Sequence, residues 1–70
     1  MVVEILTGPD PERIRAARLE AELTPKQLAR QLGCTLRAVL WWESGERVIS
    51  SRYLPGLSRA TGKPIEWFFA

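Results

Sequence analysis

From Pro25 to Ser44 the chain runs PKQLARQLGCTLRAVLWWES, and its apolar and small residues fall at the intervals that two short crossed helices need. Leu28 and Leu32 are spaced i, i+4 and share one helical face. Thr24 stands before Pro25 with Gln27 three residues on, a capping-box start with proline where its missing N–H costs nothing. Gly33 closes that helix, as a residue able to take positive φ. Thr35 caps a second helix whose Ala38, Val39 and Trp42 lie together on one face. Small Ala29 and Gly33 sit where the two helices have to approach closely.

The rest of the pattern extends this layout. Val2, Val3, Ile5 and Leu6 read as a short strand or extended arm, ended by Thr7-Gly8-Pro9. The other β-like run is Arg47-Val48-Ile49-Ser50, and the two are expected to pair, within a chain or between chains. Asp10-Pro11 opens a first helix that runs to about Ala21, with Ile14, Ala17, Arg18 and Ala21 on its inner face. After Ser44-Gly45 comes a loop over residues 46–51. Residues 52–61 read as a fourth helix, with Pro55 tolerated in its first turn and Gly62 as its stop. Lys63-Pro64 starts a final short helix over residues 65–69. The expected fold is all-α, five short helices with short connections. Residues 1–9 form the arm and residues 10–70 the single domain, its central motif at 25–44.

Composition narrows the function. Seventy residues make one small domain, and a chain of that size buries only about 60% of its unfolded surface. One cysteine and no histidine exclude a disulfide framework and a zinc site. Cys34, in the central turn, reads as a small buried hydrophobe. A reduced chain without a long apolar span is expected in the cytoplasm. MVVEILT is apolar but carries Glu4 and is too short to cross a membrane. Catalysis finds no equipment here: no histidine, no cysteine with a base partner, no glycine-rich phosphate loop and no HExxH. Glu20 and Glu22, two apart on a helix, do not converge. Neither enzyme activity nor a cofactor is expected.

Ten Lys and Arg stand against eight Asp and Glu, a net charge of +2 that permits nucleic-acid binding without demanding it. Glu12, Glu20 and Glu22 lie in the first third, whereas Lys26, Arg30, Arg37, Arg47 and Arg52 follow from the motif onward. At 100° per residue, Leu36, Arg37, Leu40, Trp41 and Ser44 point away from Val39 and Trp42. Arg37 is the obvious base reader, able to bond guanine O6 and N7, while Leu36, Leu40 and Trp41 can touch thymine methyls. Each large apolar side chain is worth about 1.5–3 kcal/mol when buried, and three together make a patch of the kind that marks an interface. Three readings stay open: contact with DNA, inward packing of Leu40 or Trp41, or a protein partner on this face.

Arg18, the run LTPKQLARQLGCT, then Val39, Trp42, Glu43 and Gly45 resemble the Xre-type helix-turn-helix family, to which Cro and the N-terminal domains of temperate-phage repressors belong. The similarity continues through SRYLPGLSRATGKPIEWFF, which is similar to the closing helices of the small phage repressors, and covers roughly Pro11 to Phe69. The resemblance implies a five-helix domain whose second and third helices bind double-stranded DNA, the third in the major groove. It implies an ion pair between Arg18 and Glu43, the alternative being an exposed Arg18 on a rotated helix. Such a pair locks geometry more surely than it adds stability. It places base contacts at Leu36, Arg37, Leu40 and Trp41 and runs the loop after Gly45 along the DNA backbone. Lys26, Arg30, Ser44, Arg47 and Arg52 are the phosphate candidates, the alternative for each being a solvated surface group. Tyr53, Ile65, Trp67 and Phe68 make the last constellation, in the region that forms a two-fold dimer contact in the family, with Trp67 also expected to close the core.

The chain departs from the family pattern in three places. The outward letters of the third helix are apolar where the family is usually polar. Pro25 replaces a glutamine that holds a phosphate, a loss that Lys26 and the free N–H groups of that helix start offset in part. Glu22 stands where a glycine often ends the first helix. Positive φ costs glutamate about 1 kcal/mol, so a different ending is expected. The function expected from all this is a sequence-specific transcription regulator, a homodimer on a two-fold operator. The rival is an interaction protein of the same fold that grips another protein, such as a repressor, through the apolar third-helix face.

Overall fold

A computed structural model describes residues 8–69, and within them the chain forms four α-helices: α1 (Pro11–Glu20), α2 (Pro25–Leu32), α3 (Leu36–Ser44) and α4 (Leu54–Thr61). Local chemistry sets the starts of the first three. The Asp10 side chain accepts the Glu12 backbone N–H at 2.9 Å, ahead of Pro11. At α2 the capping box is complete: Thr24 Oγ1 accepts from the Gln27 N–H at 3.1 Å, and Gln27 Oε1 accepts from the Thr24 N–H at 2.8 Å. Thr35 Oγ1 takes the Ala38 N–H at 3.1 Å and starts α3. Each bond satisfies a donor that the first turn leaves unpaired.

Gly33 ends α2 in the left-handed region, φ 74°. Its N–H donates to the Arg30 carbonyl and that of Cys34 to the Ala29 carbonyl, which is a Schellman ending. A Cβ added to Gly33 would meet nothing within 4 Å. The glycine therefore serves the φ angle, and the expectation that it eases helix approach is corrected; Ala29, buried in the core, fills the small-residue role alone.

Two other endings differ from expectation. α1 closes with the same Schellman pattern as α2, through Glu22 N–H to the Leu19 carbonyl and Leu23 N–H to the Arg18 carbonyl. Glu22 takes φ 59° to do so, among the described residues the one non-glycine at positive φ. The different ending expected for a glutamate is thus not adopted. The helix expected over 52–61 divides into a 3-10 turn, Ser51–Tyr53, followed by α4. Pro55 explains the division: it has no N–H to return to Ser51, so the i→i+3 bonds Tyr53 to Ser50 and Leu54 to Ser51 carry the chain in instead. Likewise Ile65–Phe69 is a 3-10 turn, with Trp67 N–H on the Pro64 carbonyl at 3.0 Å. The expected five helices become four and two 3-10 turns.

All four helices contribute to one core: Ile14 and Ala17 from α1, Leu28 and Ala29 from α2, Val39 and Trp42 from α3, Leu57 from α4. Ile49 from the loop after α3 and Phe68 from the last turn complete it. Phe68, not Trp67, closes the core, and it is fully buried while Trp67 stays half-buried. Backbone pairing holds it there, since the Asp10 N–H donates to the Phe68 carbonyl at 2.8 Å. Trp67 covers the outside, edge-on to Phe68 at 5.2 Å, with the Arg13 guanidinium 4.9 Å and the Lys63 ammonium 4.8 Å from its ring centre. Lys63 also bridges to Glu20 at 2.9 Å.

No strand occurs among the described residues. The expected arm over residues 1–9, and its pairing with residues 47–50, lie almost wholly outside them. At the edge, Gly8 stands so close to Val48 that a Cβ there would collide with it.

The left-handed Glu22 yields a stability prediction. Glu22→Gly is expected to stabilise the domain by about 1 kcal/mol, because glycine adopts positive φ without the Cβ penalty. In a domain of this size that corresponds to a rise of roughly 4–8 °C in Tm, read by thermal circular dichroism. An unchanged or lower Tm would show that Glu22 carries no strain.

Candidate nucleic-acid interface

α3 is held at a fixed angle to α1 by a buried ion pair. Arg18 Nε–H donates to Glu43 Oε2 at 2.6 Å and Nη2–H to Oε1 at 3.0 Å, a two-pronged carboxylate grip. Nη1–H donates to the Leu23 carbonyl at 2.9 Å. Arg18 is only 7% exposed. One guanidinium therefore joins α1, the connection to α2 and the end of α3. Among the described residues no buried side-chain N or O lacks a hydrogen-bond partner.

With Val39 and Trp42 turned into the core, the opposite face of α3 is bare. Leu36 is 45% exposed and Leu40 48%. With Thr35, Arg37, Trp41, Ser44 and Glu46 they line an open groove of about 640 Å³. Among the described residues Leu40 is not packed inward. Trp41 is half-buried beneath a cation: the Arg47 guanidinium lies 4.0 Å from its ring centre and that of Arg37 5.9 Å. This stack was not visible from the helical wheel, because Arg47 returns across the turn at Gly45. Its backbone signal is local, for the N–H groups of Gly45, Glu46 and Arg47 all point at the Trp41 carbonyl.

The phosphate candidates divide. Lys26, Arg30, Arg47 and Arg52 are exposed, and Arg52 lies over the Tyr53 ring at 5.4 Å. Ser44 is exposed too, but its hydroxyl donates to the Trp41 carbonyl at 3.1 Å and accepts from the Glu46 N–H at 3.3 Å, so it caps its own helix. At the start of α2, Pro25 has no N–H and Gln27 spends its own on Thr24, which leaves Lys26 as the first-turn donor nearest the end.

The C-terminal constellation is taken apart. Phe68 is in the core and Tyr53 packs at 5.3 Å against Trp42. Trp67 is clasped by Arg13, whose Nη1–H donates to its carbonyl at 2.9 Å. Ile65 is exposed, and so is Phe69. Phe68 is thereby withdrawn as a dimer contact. The backbone fixes the exchange, since the Asp10 N–H donates to the Phe68 carbonyl and the Arg13 side chain to that of Trp67.

Cys34 is half-buried, and burial pushes its thiol pKa above the usual value, away from the reactive thiolate. Among the described residues no His, Cys, Asp and Glu cluster could hold a metal ion, and no helix is long and apolar enough to cross a membrane.

Two short helices crossed over a tight glycine turn, the second presenting its outer face, are the geometry of a helix-turn-helix unit. The Helix-turn-helix family profile matches residues 14–68, and the chain belongs to that Xre-like family. No curated protein sequence matches the chain. Among solved structures it is similar to the DNA-binding domain of the P22 c2 repressor (1-76) in solution, with TM-score 0.80 and 26% identity over 93% of this chain and 86% of that one. The P22 c2 repressor in complex with a synthetic operator gives TM-score 0.77 and 28% identity over 83% of this chain and 88% of that one. Bacillus thuringiensis PlcR, in complex with the peptide PapR7 and DNA, gives TM-score 0.76 and 30% identity over 84% of this chain. The chain spans only 21% of PlcR.

The buried pair is open to a direct test. Arg18→Met leaves Glu43 buried without its counter-charge and is expected to cost about 3–5 kcal/mol. Adding Glu43→Gln should recover part of that loss, giving a coupling energy well above 0.5 kcal/mol in a double-mutant cycle by urea denaturation. A coupling near zero would mean that the two side chains act independently.

Proposed function

We propose that this protein is a DNA-binding transcription regulator that lays α3 in the major groove of a two-fold operator as a homodimer. The observation that carries the reading is the bare outer face of α3, edged by Arg37 and Arg47 and held at a set angle by Arg18 and Glu43. The P22 c2 repressor and PlcR, of similar structure, are both seen bound to DNA. Within this reading Arg37 bonds a guanine edge in bidentate fashion. Lys26, Arg30, Arg47 and Arg52 meet phosphates, which position the protein without specifying sequence. The stack on Trp41 presets the Arg47 guanidinium, so less side-chain freedom is lost on binding. Ser44 contributes by capping α3, and its backbone contact is secondary.

For self-association the C-terminal turn offers the exposed Ile65 and Phe69, with Trp67 half-buried between them in sequence. A second reading has its own support: Leu36 and Leu40 form an apolar strip that suits a protein partner as well as a thymine-rich groove.

Binding selections on random duplex DNA test the main reading, followed by titrations on the enriched site. Arg37→Ala should cost about 1–3 kcal/mol and relax specificity at one base pair. Lys26→Ala and Arg47→Ala should weaken all sequences alike and reduce the salt slope by about 1. Equal effects of all three variants on every duplex would contradict this division, and no enriched duplex would favour the protein partner.

Sedimentation at rising concentration addresses the assembly. A monomer–dimer equilibrium is expected, displaced toward monomer by Ile65→Asp. A strictly monomeric wild type at high concentration without DNA would remove the homodimer.

A further inference from the structure

We infer that the α3 face selects thymine by its C5 methyl group, with Leu36 and Leu40 as the methyl receptors on either side of a guanine-reading Arg37. This inference rests on the DNA-binding reading of the same face and names what that face recognises. Leu36 and Leu40 lie four apart on α3, one turn above the other, and both stand out into the groove, 45% and 48% exposed. Trp41 is excluded as a free base reader because Arg47 covers its ring at 4.0 Å. The Ser44 hydroxyl is engaged with its own helix end, by one donated and one accepted bond. Of the α3 side chains in the groove, Arg37 offers a donor fork and Trp41 a single indole N–H to a base edge, and the two leucines offer none.

The major groove limits what such a surface can match. Adenine and cytosine present amino groups that need an acceptor, and guanine presents two acceptors that need donors. Set against leucine, those polar edges are desolvated without a partner, which is unfavourable. Thymine presents an O4 acceptor too, but it alone carries an apolar group on the major-groove edge, its 5-methyl, for a leucine to cover. Glu46, the one carboxylate lining the groove, lies in the loop past the end of α3 and not on the helix with the leucines. Charge directs the face to DNA rather than to an apolar protein surface, since the Arg37 and Arg47 guanidinium groups both stand against Trp41 on it.

The test uses the whole 70-residue chain and duplexes enriched from a random pool. In each enriched duplex single thymines are replaced by uracil, which removes the methyl and keeps the base pair. Thymines outside the footprint serve as controls. Each thymine that meets a leucine should bind about fourfold more weakly as uracil, the ratio corresponding to ~0.8 kcal/mol for one methyl-sized group. In Leu36→Ala and Leu40→Ala the penalty should vanish at one thymine each and persist at the other. Both leucines are exposed, and an unchanged Tm of the variants verifies the fold. An enriched duplex that tolerates uracil throughout the footprint would overturn methyl recognition and leave the DNA-binding reading standing. A uracil penalty unaffected by either alanine variant would overturn the assignment to Leu36 and Leu40. No enriched duplex at all would overturn the DNA-binding reading beneath both.

Discussion

One guanidinium determines how this domain presents its outer surface. Arg18 is engaged at each of its three nitrogens, by both carboxylate oxygens of Glu43 and by the Leu23 carbonyl, in a setting almost closed to water. Desolvation offsets much of the attraction in such a pair, so its main effect is geometric. A fork meeting a carboxylate edge to edge tolerates little rotation of either helix. Since α1 and α3 are both too short to be rigid by themselves, their relative angle depends on this contact and on Ile14, Ala17, Val39 and Trp42 packed around it. The face of α3 that remains outside is a consequence of that angle.

The same contact explains why the chain accepts a strained Glu22. The Leu23 carbonyl reaches Arg18 only if the chain reverses immediately after α1, and the Schellman turn is the short way to do so. Leu23 donates its N–H to the Arg18 carbonyl and accepts from the Arg18 side chain, so backbone ending and buried pair support one another. A cost of about 1 kcal/mol at one residue is small beside a buried charge left without partner.

Local features were legible in the sequence and tertiary ones less so. Asp10, Thr24 with Gln27, and Thr35 announce helix starts because a cap needs only its own first turn. Val39 and Trp42 announce the buried side of α3 by spacing alone. Glu22 takes the ending not expected of a glutamate because the turn it makes lets the Leu23 carbonyl reach the buried Arg18 side chain. Trp67 and Phe68 exchanged roles because Asp10 holds the Phe68 carbonyl and Arg13 that of Trp67, contacts between residues far apart in the sequence. The Arg47–Trp41 stack depends on a reversal at Gly45 whose direction no periodicity encodes. The apolar letters of α3 were plain from the start, and their exposure came from the fold.

The central claim is that the outer face of α3 meets duplex DNA. Backbone amide shifts followed by NMR during titration with an enriched duplex test it most directly. The largest changes should fall on Leu36, Arg37, Leu40 and Trp41, with a second group at Lys26 and Arg47 and little change along α1. Saturable binding whose changes gather instead on α1 or on Ile65 to Phe69, leaving α3 untouched, would contradict it.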